Sequence, residues 1–184
     1  MRPVTFLFVV AAAFAAWPGA GCSGSGRSVP AAEPASEPSA HEAPAAMPHG
    51  QVVLEVPGRD PVTFQVEVAN NDETRQRGLM FRNQMNADAG MIFLFEAPEH
   101  MSFWMHNTYL PLDMVFITTE MRVLGVVENA EPRTDDAREV EGDSQYVLEL
   151  NAGTARQYGI GPGVHVRFVG IPQGAEPRGG GRHE

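Results

Sequence analysis

Between Gln51 and Ile171 the apolar residues arrive in short runs of strand length, separated by Pro, Gly, Asn and Asp, and that spacing limits what the chain can fold into. Residues 52–56 and 62–68 flank the turn "PGRDP" and predict a hairpin. "MIFLF" at 91–95 is a continuous apolar run, as expected of a strand covered on both faces. Further strands are predicted at 101–108, 113–118, 122–127, 146–150 and 164–169. Asn71, Asp72 and Glu73 supply capping residues ahead of "TRQRGLMFR", which predicts a short helix weakened by Gly78. A second helical turn is expected at 154–158. The sum is a mainly β fold: one compact barrel- or sandwich-like domain over 51–171 with one or two short helices.

The flanks are of another kind. Residues 1–21 carry Arg2, an apolar stretch and then "PGAG", the layout of a signal peptide. The apolar stretch is shorter than the ~20 residues a membrane span needs. The single cysteine, Cys22, stands where cleavage would make it the new N-terminus, and "GAGC" resembles a bacterial lipoprotein box, although Gly19 replaces the usual Leu. Residues 22–50 are then a lipidated Cys and a Pro/Ala-rich tether, with too few large apolar residues to offset the entropy of ordering. Residues 172–184 form a tail of similar composition. The expected setting is the cell envelope, with the chain held in the membrane through Cys22 and facing the periplasm or the cell exterior.

Charge and composition remove several chemistries. The formal net charge is −10, which argues against nucleic acid as a partner. All 13 basic residues are arginine, so Schiff-base chemistry and Walker-type phosphate loops are excluded. The domain offers only Ser102 and Ser144 as hydroxymethyl nucleophiles, has no cysteine and lacks a G-x-S-x-G elbow. Carboxylates remain. Asp113 and Glu149 fall inside predicted strands, and such a pair could perform acid/base work in an envelope hydrolase. Strand parity places Glu149 with Val147 and Asn151, a face that can meet solvent.

The stretch "HMSFWMHNTYLPLD" at 100–113 is the richest in candidate ligands. If it is a regular strand, Met101, Phe103, Met105, Asn107 and Tyr109 share one face, and Ser102, Trp104, His106 and Thr108 the other. Met101, Met105 and His106 are soft donors suited to Cu(I), but Met105 and His106 then point opposite ways. Trp104 with Thr108, or Tyr109 with Asn107, gives an aromatic plane beside a hydroxyl or amide, as recurs in walls that hold sugars or peptides.

Five blocks resemble domain-of-unknown-function family 192 and follow its order. They are "RGLMFR" at 77–82, "GMIFLF" at 90–95, "FWMHNTYLPLDMVF" at 103–116, "VLELNAG" at 147–153 and "GPGVHVRF" at 161–168. The resemblance spans about residues 52–169. It implies a small, mainly β domain, often exported, with no established activity and no cofactor. Within its motifs it points to Arg77, Asn107, Thr108, Asp113 and Glu149 as embedded polar residues. A polar group among apolar ones needs a partner, and an ion pair of Arg77 with Asp113 or Glu149 is the expected one. His106 departs from the family, which usually has Lys or Arg there.

The expected function is therefore non-catalytic binding of a small molecule, glycan or peptide at a wall containing Trp104 and Asn107, supported by Arg77. Thr108, Asp113 and Glu149 complete the set of candidates. The anchor has a direct test. Radioactive palmitate should label the wild-type chain and leave Cys22→Ser unlabelled; equal labelling of both would disprove the lipid attachment.

Overall fold

The computed structural model describes residues 47–172. The predicted signal, Cys22, most of the tether and the tail lie outside the described residues. Nine strands and two short helices run in the order β1 (His49–Glu55), β2 (Val62–Ala69), α1 (Asp72–Arg77), β3 (Ala89–Glu99), β4 (Ser102–Phe103), β5 (Leu112–Ile117), β6 (Val123–Ala130), β7 (Arg138–Glu139), β8 (Ser144–Asn151), α2 (Thr154–Tyr158) and β9 (His165–Val169). The class is mainly β, as the run lengths imply.

Seven strands form one curled sheet, a half-barrel in the order β6-β5-β8-β3-β2-β1-β9, while β4 and β7 pair separately. The β1–β2 hairpin forms across "PGRDP", with Leu54 opposite Val62. At one corner the outermost strands meet: Arg122 bridges His165, and the Val123 amide donates to the Val164 carbonyl at 2.9 Å. All pairs in the large sheet are antiparallel except β2 with β3. A parallel pair needs a crossover, and here the connection contains α1.

Strand alternation sorts the core into two. Val52, Phe64, Val66, Ile92, Val115 and Leu148 fill the inside of the curl. Met91, Phe93, Met105, Met114, Phe116 and Val147 make a second cluster on the outer face of β3, β8 and β5. Both faces of these central strands are thus covered, and β5 is buried throughout. Fully burying one such side chain contributes about 1.5–3 kcal/mol.

The predicted strand at 101–108 is mostly absent. Only Ser102 and Phe103 are extended, paired with Glu139 and Arg138. Alternation persists through His106, with Met101 and Met105 buried and Ser102, Trp104 and His106 exposed. It breaks at Asn107, whose φ of 51° turns the chain and leaves Thr108 buried and Tyr109 exposed. The helix near residue 75 is also shorter than the sequence pattern suggests. Asn71 caps it, its side-chain oxygen accepting from the Thr74 amide at 3.0 Å. Gly78 ends it with φ 47°, packed so near Phe93 that an added Cβ would lie 3.2 Å from the ring.

Asp113 holds the other end of the sheet. Its register partner strand is irregular between Leu112 and Met114, leaving Asn129 in a bulge with φ 53°. Asp113 Oδ1 accepts from the Asn129 amide and Oδ2 from the Ala155 amide, each at 2.8 Å. The second bond serves the first turn of α2, whose own N-cap, Gly153, offers no side chain. Asp113 is fully buried. Hydrogen bonds to a charged group contribute about 1.5–3 kcal/mol each. Asp113→Ala is therefore expected to lose about 3 kcal/mol or more, and Asp113→Asn less, in urea unfolding. A loss below about 1 kcal/mol for the alanine variant would show that this brace is dispensable.

Candidate functional site

The outer face of β8 carries Val147 and Glu149, side by side with apolar residues of its neighbours: Glu149 stands opposite Met91 of β3 and Met114 of β5. Instead of meeting solvent, its side chain takes a core position and the residue is only 4 % exposed. Two covers close over it. One is the end of α1 with the turn through Gly78, Leu79 and Met80; the other is the loop from Phe103 to Thr108. Between them runs a narrow cleft of about 40 Å³ that ends on Glu149 and is bordered by Phe93, Phe103, Trp104 and Thr108.

Each cover is tied down. Arg75 donates to the Leu94 carbonyl at 2.8 Å and to Asp72 at 2.6 Å, and its guanidinium lies 5.3 Å from the centre of the Phe95 ring. Arg82 grips Glu67 of β2 through two hydrogen bonds, and the bonded guanidinium holds that carboxyl below the ordinary carboxylate range. The covers are also joined to each other. The Phe81 amide donates to the Asn107 carbonyl at 2.9 Å, and the Phe81 and Tyr109 rings meet edge to face at 6.2 Å. Phe81 and Asn107 both have positive φ, at 64° and 51°. For a bulky side chain such as Phe81 this conformation is a true outlier, and such residues concentrate where surrounding structure fixes a functional shape.

Electrostatically, the base of the cleft is the unusual point. The Glu149 carboxyl makes no hydrogen bond or ion pair among the described residues. Burial alone pushes its pKa from 4.5 to about 8. At neutral pH the group is mostly a neutral acid that can donate one hydrogen bond and accept others. Thr108 stands beside the cleft, its hydroxyl donating to the His106 carbonyl at 3.3 Å while its lone pairs remain free. Trp104 is 54 % exposed at the rim.

The sequence candidates thus separate. Glu149, Trp104 and Thr108 meet at one cleft, with Arg77 on its rim. Arg77 is exposed and forms no ion pair with Asp113 or Glu149 among the described residues, so the expected pairing is corrected. Asp113 is corrected too. It lies on the inner face of β5, whereas Glu149 lies on the outer face of β8, and both Asp113 oxygens are bonded to backbone amides. A hydrolase built on that pair is ruled out by the intervening sheet. Asn107 does not border the cleft; its role is the backbone turn that receives Phe81. The copper set divides as well, since Met101 and Met105 are enclosed in the core and His106 lies outside with Nδ1 2.7 Å from Asp135. Sequence reasoning missed Phe93, Phe103 and Gly78 as cleft residues. The available clue was Val147: an apolar residue two positions from Glu149 on a central strand implies a covered face.

Three comparisons bear on this domain. The model of the DUF192 family, described as an uncharacterized ACR, matches residues 52–168. A crystal structure of a Sinorhizobium meliloti 1021 protein, provisionally described as a transcription regulator, superposes with a TM-score of 0.66 at 36 % identity, covering 68 % of this chain and 98 % of that one. A protein of unknown function from Novosphingobium aromaticivorans DSM 12444 gives a TM-score of 0.61 at 35 % identity, covering 64 % and 83 %. No curated protein matches the chain.

The raised Glu149 pKa fixes a pH dependence. Between about 4.5 and about 8 the folded state keeps a proton that the unfolded state has lost, so stability falls as pH rises through that window and is level above it. The cost at pH 8 is on the order of 4–5 kcal/mol. Glu149→Gln is expected to unfold at the same denaturant concentration as wild type near pH 4 and at a distinctly higher one at pH 8. Parallel curves for the two proteins would show that the carboxyl ionises freely in the folded chain.

Proposed function

The chain belongs to the DUF192 family, and from the unpartnered carboxyl at the base of its cleft we propose that the domain is a non-catalytic binding module for a small molecule, glycan or peptide. The module rides on an exported protein, anchored in the envelope membrane through Cys22 and set off by the Pro/Ala-rich tether. Support for the location comes from the apolar stretch at 4–17, the small residues after it and the position of Cys22.

Support for binding rests on one observation above the rest: Glu149 is only 4 % exposed, lines the cleft, and has no hydrogen-bond or ion-pair partner among the described residues. A core carboxyl in this state costs stability that an apolar residue would not, and such costs are kept where a ligand supplies the missing contact. A cleft with convergent polar groups, apolar walls and a perturbed acid is the usual form of a small-ligand site. Here Glu149 and Thr108 line the cleft, and Trp104 adds an exposed aromatic surface. Among the described residues Glu149 is the only acid lining the cleft, which favours holding a ligand over cleaving it with a carboxyl pair.

Trp104 and Trp17 are the only two tryptophans, so fluorescence of the processed chain reports Trp104 alone. Chitotriose, diglycine and short alkylamines are suitable first probes. At least one is expected to change the emission saturably, with calorimetric affinity reduced about tenfold in Trp104→Ala and melting temperature unchanged. Unfolding of Trp104→Ala would assign that residue to the core instead. Emission indifferent to every probe, together with calorimetry that detects no binding, would refute the module as described.

A further inference from the structure

We propose that the group seated at the base of this cleft is a primary alkylammonium, paired with Glu149 and surrounded by Phe93, Phe103 and Trp104. The inference rests on the binding reading above and names the chemistry of its ligand.

Four features of the cleft select this group. Its polar end is a single carboxyl with no partner, which calls for a donor-rich, compact and preferably charged group. Its walls include three aromatic rings, and ring faces attract cations most strongly where water is excluded. Its volume, about 40 Å³, is small and suits a compact head group such as –NH₃⁺. Beside it, Arg75, Phe93, Phe103 and Trp104 also border a hollow of about 380 Å³, large enough for an attached chain. The ligand must come from another molecule, since this chain contains no lysine.

The charges around Glu149 are compatible with a bound cation. Its register partners on β3 and β5 are Met91 and Met114, and Phe93 borders the same cleft. From the helical cover come Arg75, already engaged by Asp72 and the Leu94 carbonyl, and Arg77, which is exposed at the rim. From the loop comes His106, turned outward to Asp135. Neither guanidinium draws the carboxyl toward its ionised form; burial alone sets its titration. An arriving ammonium supplies the missing counter-charge, so the carboxyl gives up its proton to solvent and an ion pair forms. Arg77 at the mouth is left to meet a carboxylate if the ligand is a zwitterion.

The proton gives the test its sign. With the empty site titrating at about 8, the ionised fraction of Glu149 rises on the order of twenty-fold between pH 6.5 and pH 8.5. The full chain should be titrated with n-pentylammonium, n-pentanol and pentanoate, which share one tail and differ in charge. Pentylammonium alone is expected to bind, with affinity rising on the order of twenty-fold over that pH span. Close to one proton should be released at pH 7, read from calorimetry in buffers of different ionisation heat, and Glu149→Gln should abolish both effects. Nα-acetyl-lysine amide against free lysine then separates a protein side chain from a free amino acid as the source. Preference for pentanol or pentanoate, with affinity falling as pH rises, overturns the ammonium assignment and leaves the binding module standing. Pentylammonium binding that ignores both pH and Glu149→Gln overturns it as well. Silence from all three, and from the glycan and peptide probes, removes the site and the function together.

Discussion

A parallel strand pair cannot be closed by a hairpin, so the chain between Ala69 and Ala89 has to cross over the sheet before β3 can lie beside β2. That requirement organises the rest of the molecule. The crossover carries α1 and Leu79 onto the outer face of β3 and β8, which turns an otherwise solvent-facing surface into a second core. The loop after β3 completes the cover from the other side. A cleft exists because these two covers come from different parts of the chain and meet along a seam. Gly78 sits in its wall with a positive φ of 47°, where an added Cβ would lie 3.2 Å from the Phe93 ring and press on it.

Two acidic side chains on neighbouring strands show how differently one sheet can treat the same functional group. Asp113 points inward and receives two backbone amides, one from a bulge and one from a helix start, so its burial joins three elements. Glu149 points outward into a layer of Met, Phe and Val and receives nothing from the protein. The first arrangement is a structural solution, complete without any ligand. The second is a local conflict between sequence and fold, and conflicts of this kind are where function is found.

Much of this was legible in the sequence. The short apolar runs located every strand of the large sheet, although β1 starts earlier, at His49, and β3 and β6 run on to Glu99 and Ala130; "NDE" marked the start of α1. The family blocks bracket the cleft on both sides, since "RGLMFR" forms one cover and "FWMHNT" the other. What could not be read was which face of a central strand is sealed. Period-2 parity groups Val147 with Glu149 but does not say what lies above them, because that depends on a crossover and a distant loop. The 101–108 segment failed for a related reason. Its alternation is real as far as His106, but three-dimensional contacts with 133–134 pull it into turns: the Met105 amide bonds to the Thr134 carbonyl, and the Arg133 amide to the Met105 carbonyl. The proposed Arg77 ion pairs failed because nearness in motif does not fix the direction of a long side chain.

The seam between the covers also bears on how the site would work. Phe81 and Asn107 both sit in left-handed backbone conformations, and the hydrogen bond between them joins the two covers. Each such conformation costs about 1–3 kcal/mol in a non-glycine residue unless the surroundings enforce it. The enforcement here is mutual: Arg82 on Glu67 fixes one side, the β4–β7 pair fixes the other, and the Phe81–Tyr109 contact spans the gap. Covers joined this way are ordered in advance, so a ligand would not have to supply the energy to order them. The adjustable element is then the proton on Glu149 and the exposed ring of Trp104, while the backbone stays as it is. In the proposed binding role, recognition would fall to charge and to one aromatic side chain, working within a frame that the parallel crossover has already set.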